Sequence, residues 1–91
     1  MQGFMNHLAN PAFWSCLRKL PKNIQQLAGK NFDLLKENPN HASLHLKRIR
    51  KYWSVRIGIK HRALAYEIDK NLVWFWIGTH AQYDKLLKDK K

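Results

Sequence analysis

Residues 72–77, Leu-Val-Trp-Phe-Trp-Ile, constrain this chain more than any other stretch. Six residues are too few for a buried helix but enough for a strand. A strand that is apolar at every position needs cover on both faces, so it belongs inside a sheet rather than at its rim. The sequence just before it supplies neighbours. Trp53, Val55, Ile57 and Ile59 alternate with Tyr52, Ser54, Arg56 and Gly58, the period-2 signature of a half-buried strand. After a turn at 58–61, Arg62, Leu64, Tyr66 and Ile68 alternate with Ala63, Ala65 and Glu67. Asp69-Lys70-Asn71 forms a second polar turn. Connections this short join antiparallel neighbours only. The expected scaffold is therefore an antiparallel sheet with residues 72–77 at its centre and Trp74 or Phe75 nearly fully buried.

The rest of the chain reads as cover for that sheet. Residues 1–9 are a weak edge strand or disordered, with Phe4, Met5 and Leu8 as its apolar members. Asn10-Pro11 is a helix start, with Asn as N-cap and Pro at the first helical position. Phe13, Trp14, Cys16, Leu17 and Leu20 fall on one side of that helix, which ends at Leu20-Pro21. A second helix over 22–38 carries a stripe of Ile24, Leu27, Ala28, Phe32, Leu34 and Leu35 and closes at Asn38-Pro39. The two should form a helical hairpin on the sheet. Thr79 and Gln82 make a capping-box pair, so a short helix should start at His80 and run to about Leu87. The basic tail, 88–91, follows. The expected fold class is α+β: a small antiparallel sheet, an N-terminal helical hairpin packed on it and a short C-terminal helix, one domain over 1–91.

Charge narrows the function. Seventeen Lys and Arg against six Asp and Glu give a net +11. A small folded domain this basic meets a polyanion: nucleic acid, ribosome, anionic membrane or an acidic protein. Cys16 is the single cysteine, which points to the cytoplasm as the compartment. No apolar run approaches the roughly 18–20 residues of a membrane span, and the N-terminus lacks a secretory pattern.

Lys47, Arg48, Arg50 and Lys51 put four positive charges in five residues, immediately before the strand that carries Arg56. With Arg56 and Arg62 on or beside one sheet, these form a candidate phosphate-binding surface. His45 joins it as an RNA-facing imidazole. His41 and His45 have the i, i+4 spacing of a shared metal site, but Asn38-Pro39-Asn40 argues for a loop there, and no third ligand is near in sequence. No metal and no cofactor are expected. Trp53, Trp74 and Trp76 offer surfaces for base stacking, although tryptophans on strands are read first as core.

The segments FWSCLRKLPKNIQQLAGKNFDLLKENPNHASLHLKRI, YWSVRIGIKHRALAYEI and VWFWIGTHAQYDKLL closely resemble the RelE/ParE superfamily of bacterial type II toxins. The similar segments run from about Phe13 to Leu87, and the element order agrees with the family's fold. The resemblance implies a toxin neutralised by a cognate antitoxin, with a toxin–antitoxin hetero-oligomer. It leaves the activity open, because the superfamily holds ribosome-dependent mRNA endonucleases and gyrase poisons. In its RNases a strand arginine and residues of the C-terminal segment contribute to the site; Arg62, His80 and Tyr83 stand at matching places. RNA cleavage without metal needs a base, cations for the phosphorane and an acid, which His, Tyr and Arg supply. Two-metal cleavage needs clustered carboxylates; Glu67 and Asp69, the one pair expected to share a strand face, find no third. The expectation is a metal-independent endoribonuclease acting on mRNA on the ribosome. The alternatives are a ParE-like DNA gyrase inhibitor and a catalytically inactive homologue that only binds its antitoxin.

Overall fold

A computed structural model describes residues 6–89. Eight elements follow one another: β1 (His7–Ala9), α1 (Pro11–Arg18), α2 (Lys22–Glu37), β2 (Lys47–Ile49), β3 (Tyr52–Ile57), β4 (His61–Ile68), β5 (Asn71–Thr79) and α3 (His80–Asp89). The five strands form one sheet in the order β1-β5-β4-β3-β2. The three strands expected from two alternating stretches and the apolar run pair antiparallel through tight turns, as anticipated. Asp69 and Lys70 both have positive φ, 51° and 68°, the backbone of a two-residue type I′ hairpin. Gly58 sits at φ 66°, a conformation that favours glycine, and a Cβ there would lie 2.8 Å from Leu27 Cδ2 and push that side-chain end aside.

Local rules also set the helix starts. Asn10 Oδ1 accepts from the Phe13 N–H at 3.1 Å, with Pro11 opening α1. Thr79 Oγ1 accepts from the Gln82 N–H at 3.1 Å while Gln82 Oε1 accepts from the Thr79 N–H at 2.9 Å, a reciprocal capping box.

The strands' two faces differ. Val55, Ile57, Ala63, Ala65, Leu72, Trp74 and Ile77 bury against Phe13 of α1 and Ala28 and Leu35 of α2. The hairpin is stitched to the sheet by edge-to-face aromatic pairs, Phe13–Phe32 at 5.5 Å and Phe32–Trp74 at 5.1 Å. On the opposite face α3 lays Tyr83 and Leu87 on Leu64, beside Phe75, Trp76, Ile49 and Tyr52. Trp74 is 2 % exposed, as expected of the apolar run. A bulge opposite Leu64 and Ala65 shifts the β5 register, so both halves of the run keep their apolar residues under cover.

Four expectations are corrected. The short edge strand β1 pairs parallel with β5, His7 beside Leu72, so the sheet is mostly but not wholly antiparallel. Leu8 belongs to it, whereas Phe4 and Met5 lie outside the described residues, as do Lys90 and Lys91 of the tail. The charge run at 47–51 contains a strand: β2 is three residues long and mostly exposed, and lysine and arginine on such an edge discourage unwanted pairing, which hides the strand signal. Ile59 continues the alternation in sequence but sits in the turn, 88 % exposed. Asp69 also belongs to a turn and not to a face shared with Glu67. Among the described residues no helix is long and apolar enough to cross a membrane.

Candidate active site on the cationic sheet face

Arg56 and Arg62 stand directly opposite one another on β3 and β4. The Arg56 N–H donates to Leu44 O at 2.7 Å, and its carbonyl accepts from Asn31 Nδ2 at 3.0 Å. Both backbone groups therefore turn away from β4, and the two arginines form the closer, non-hydrogen-bonded kind of cross-strand pair. Like charges placed directly opposite destabilise a sheet. An anion between two guanidinium groups set this way would reduce the repulsion. The Arg62 guanidinium is held below its ordinary value first by burial and then by the facing Arg56, while Tyr83 and Asp84 act in the other direction. It remains cationic, since an arginine does not deprotonate in proteins. Its Nη1 donates to His61 O at 2.9 Å, which orients the group along the strand.

The third side of the site comes from α3. The capping box starts this helix at the end of β5, so His80 emerges beside the start of β4, with its N–H on Lys60 O at 2.7 Å. Three and four residues on, Tyr83 and Asp84 lie on the same helix flank. The His80 and Tyr83 rings are 5.8 Å apart between centroids. His80 Nδ1 meets Asp84 Oδ2 at 3.0 Å, with both side chains about half exposed or more, 48 % and 63 %. An exposed pair of this kind contributes little stability. Its consequence is orientation: a carboxylate only accepts, so Nδ1 carries the hydrogen and the imidazole's Nε2 is left as the acceptor. Tyr83 is nearly buried, 6 % exposed, with its ring on Leu64.

The other expected RNA-binding residues divide. His45 Nδ1 lies 3.3 Å from Arg56 Nη2, so His45 joins the arginine pair. Lys47 pairs with Ser54, two residues from Arg56, and shares its face. Arg48 pairs with Trp53 and therefore points to the hairpin side, its guanidinium carbon 5.8 Å from the indole centroid. Arg50 lies in the β2–β3 turn, its carbonyl accepting from Arg48 Nε at 3.2 Å. The structure thus brings together His45, Lys47, Arg56, Arg62, His80 and Tyr83, and it leaves Arg48 and Arg50 at the sheet's rim. His45 and Arg50 also adopt left-handed backbone, φ 47° and 58°. Non-glycine residues held there store strain, and such positions cluster at functional sites. His41 lines one depression with His45, and its Nδ1 is engaged by Ser43 at 2.8 Å.

Glu67 is occupied by Trp53 Nε1 at 3.2 Å, and among the described residues no three His, Cys, Asp or Glu side chains are grouped as metal donors would be. What the arrangement offers is a pair of fixed cations, an oriented imidazole and a phenol at one end of the sheet. Nothing in the sequence marks Asn31 and Leu44 as the anchors of Arg56. They act through backbone contacts that leave no composition signal. The Arg56–Arg62 pairing itself was accessible, because a turn at 58–60 sets 57 against 61 and 56 against 62.

A family model described as "ParE-like toxin domain" matches residues 22–85. Curated proteins yield no sequence match. Among solved structures, YafQ from E. coli BL21(DE3) superposes with a TM-score of 0.68 at 16 % identity, covering 85 % of this chain and 94 % of that one. A chain of the toxin–antitoxin complex RelBE2 from Mycobacterium tuberculosis gives 0.66 at 21 % identity, covering 82 % and 96 %. A chain of the RelB–RelE antitoxin–toxin complex from Methanococcus jannaschii gives 0.64 at 17 % identity, covering 87 % and 96 %. At these identities the likeness establishes a shared fold.

Proposed function

This chain belongs to the ParE-like toxin domain family, and we propose that it is a metal-independent endoribonuclease that cleaves mRNA on the ribosome and is held in check by a cognate antitoxin. The observation that carries the reading is the opposed Arg56–Arg62 pair with the Asp84-oriented His80 at its end. Two fixed guanidinium groups suit a phosphate whose charge rises in the transition state. Imidazole is the side chain that exchanges a proton most readily near neutrality.

In this scheme the RNA phosphate lies between Arg56 and Arg62. His80 Nε2 takes the proton of the ribose 2′-hydroxyl, whose oxygen then bonds to phosphorus. The bond from phosphorus to the 5′ oxygen breaks, and that oxygen takes a proton supplied by water in the open site. The products are a 2′,3′-cyclic phosphate and a 5′-hydroxyl. Tyr83, its ring beside that of His80, sets the position of His80 and of the nucleotide beside it. His45 and Lys47 extend the phosphate contacts, and Arg48 and Arg50 add charge at the rim. The antitoxin is expected to cover this cationic face with an acidic or amphipathic segment, since charge complementarity steers such pairing. Several solved relatives are themselves toxin–antitoxin complexes.

The resemblance to the RelE/ParE superfamily keeps one rival in play, inhibition of DNA gyrase in the manner of ParE. A translation extract with added protein, read by primer extension, is set beside a gyrase supercoiling assay. Discrete cuts that persist in EDTA support the nuclease. Inhibited supercoiling with intact mRNA replaces it with the gyrase reading. A chain that does neither yet captures its antitoxin is the inactive binder.

A further inference from the structure

The flank of α3 turned away from His80 borders a second depression. A groove of about 740 Å³ runs between the α1–α2 joint and α3, along the end of β5. Its floor is Trp76, Ile77 and Leu20, and its rim carries Lys19, His61 and Lys85. On α3, Gln82, Lys85 and Leu86 fall roughly opposite His80 and Asp84 at helical spacing, so one helix separates the groove from the Arg62 site. The two meet around the start of α3, where His61 pairs with Thr79 and Lys60 O holds the His80 N–H at 2.7 Å.

Trp76 is placed unusually within this groove. Its six-membered ring lies over Gly78, where a Cβ would come within 2.5 Å of the ring. The side chain is only partly buried, unlike Trp74 one bulge away. The glycine thus lets the indole lie along the strand, with Lys19 on one bank and Lys85 on the other. An aromatic surface between cations suits one nucleotide: the base stacks and the phosphate meets ammonium groups, with no sequence readout required. His61, held towards its neutral form by burial and by Lys60, adds a hydrogen-bonding imidazole on the same rim.

We propose that this groove is a second nucleotide subsite, which takes a base of single-stranded RNA on Trp76 and the adjoining phosphates on Lys19 and Lys85, as the strand leaves the Arg56–Arg62 site around the start of α3. The inference rests on the RNA reading above and extends it to a surface on the other side of the helix. It assigns Trp76 a role that the core reading of strand tryptophans did not.

The test is fluorescence anisotropy at low salt with labelled single-stranded oligoadenylates of three, six and nine nucleotides and the full chain. The wild type should bind the longer probes more tightly than the trimer. Lys19→Glu with Lys85→Glu should abolish that gain by about tenfold or more, leave the trimer unaffected, and lower the slope of log affinity against log salt by about 1.4, two phosphates at about 0.7 each for single strands. Trp76→Leu should also weaken the longer probes by about tenfold, whereas Trp76→Tyr, which keeps an aromatic face, should retain most of the affinity. The lysine reversals are on the surface, so they decide the matter even where Trp76→Leu lowers stability. If both lysine reversals keep the full length-dependence while Arg56→Ala weakens the trimer, the groove proposal is overturned and the RNA reading stands. If no probe binds the wild type, the groove proposal falls, and the RNA reading is decided by the cuts in the translation extract.

Discussion

The two faces of the sheet share the same strands and do opposite work. On β3 and β4, Val55, Ile57, Ala63 and Ala65 point to the helical hairpin and are buried, while their immediate neighbours Arg56 and Arg62 point the other way as a facing pair of like charges. The hairpin face closes on itself with interlocking aromatic rings. The opposite face has a small apolar cluster under α3 and then gives way to cations, an oriented imidazole and the left-handed His45. A period of two lets one strand be spent on stability and on an anion site at once. The comparison teaches that this small domain sets its facing like charges on one side while the other side carries the main packed core.

Several substitutions can break or sharpen that contrast. The largest effect is expected on the hairpin face. Trp74→Ala should cost about 3–5 kcal/mol, which at about 4–8 °C per kcal/mol for a chain of this size removes most or all of the thermal stability. A melting curve that barely moves would show that this face is not the core. Next comes the opposite face, where chemistry and not folding should suffer. Arg62→Ala and His80→Ala should each lower cleavage about 10²-fold or more, the usual reach of acid–base and charge-stabilising groups. Their melting temperatures should stay near the wild type, and for Arg62→Ala a small rise would fit relief of the facing charges. Asp84→Asn tests positioning separately: it should reduce cleavage and shift its pH profile, whereas a purely structural residue would alter only the melting temperature.

A smaller effect is expected where the site is attached to the sheet. Thr79→Ala removes half of the capping box and should cost about 1 kcal/mol of stability. Because the same turn places His80, cleavage should fall along with it; unchanged cleavage in a destabilised variant would separate the helix start from the site. The smallest effect belongs to His7 of β1. Its ring stacks on Trp74, and its Nδ1 accepts from Trp74 Nε1 at 3.3 Å. Burial first, and Lys36 second, hold it below its ordinary value of 6.5. The unfolded chain therefore binds this proton more readily, so stability falls as pH drops from about 6.5 towards the lower folded value and levels off below it. His7→Gln should reduce the difference between melting temperatures at pH 7.5 and pH 5.5. An unchanged difference would assign the acid sensitivity to other groups.

Much of this architecture is legible in the residues, and the illegible parts share a cause. Asn10 and Thr79 announce their helices because a cap and its partner are three residues apart. The β4–β5 hairpin is readable because its turn is a local backbone preference. Lys47–Ile49 hides its strand because the charges that guard an edge are also those of a solvated loop. The parallel partnership of His7–Ala9 with β5 has no sequence signature at all, since it joins segments more than sixty residues apart. For the site, Arg62, His80 and Tyr83 could be named from resemblance and spacing. The division of the basic run, with Lys47 on the Arg56 face and Arg48 on Trp53, follows from the β2–β3 register alone.

The amino-acid sequence by itself determined the three helices, the strands β3 to β5, the tight turns and the two periodicities that separate apolar from polar faces, because caps, turn conformations and side-chain alternation act within a few residues. The tertiary structure alone decided that Asn31 and Leu44 would anchor Arg56, that α3 would bring His80 to the arginine pair on one flank, and that its other flank would close a groove with Lys19 and Trp76. Those are meetings of segments far apart in the chain, set by strand register and by which surfaces must be buried together, and no local pattern encodes them.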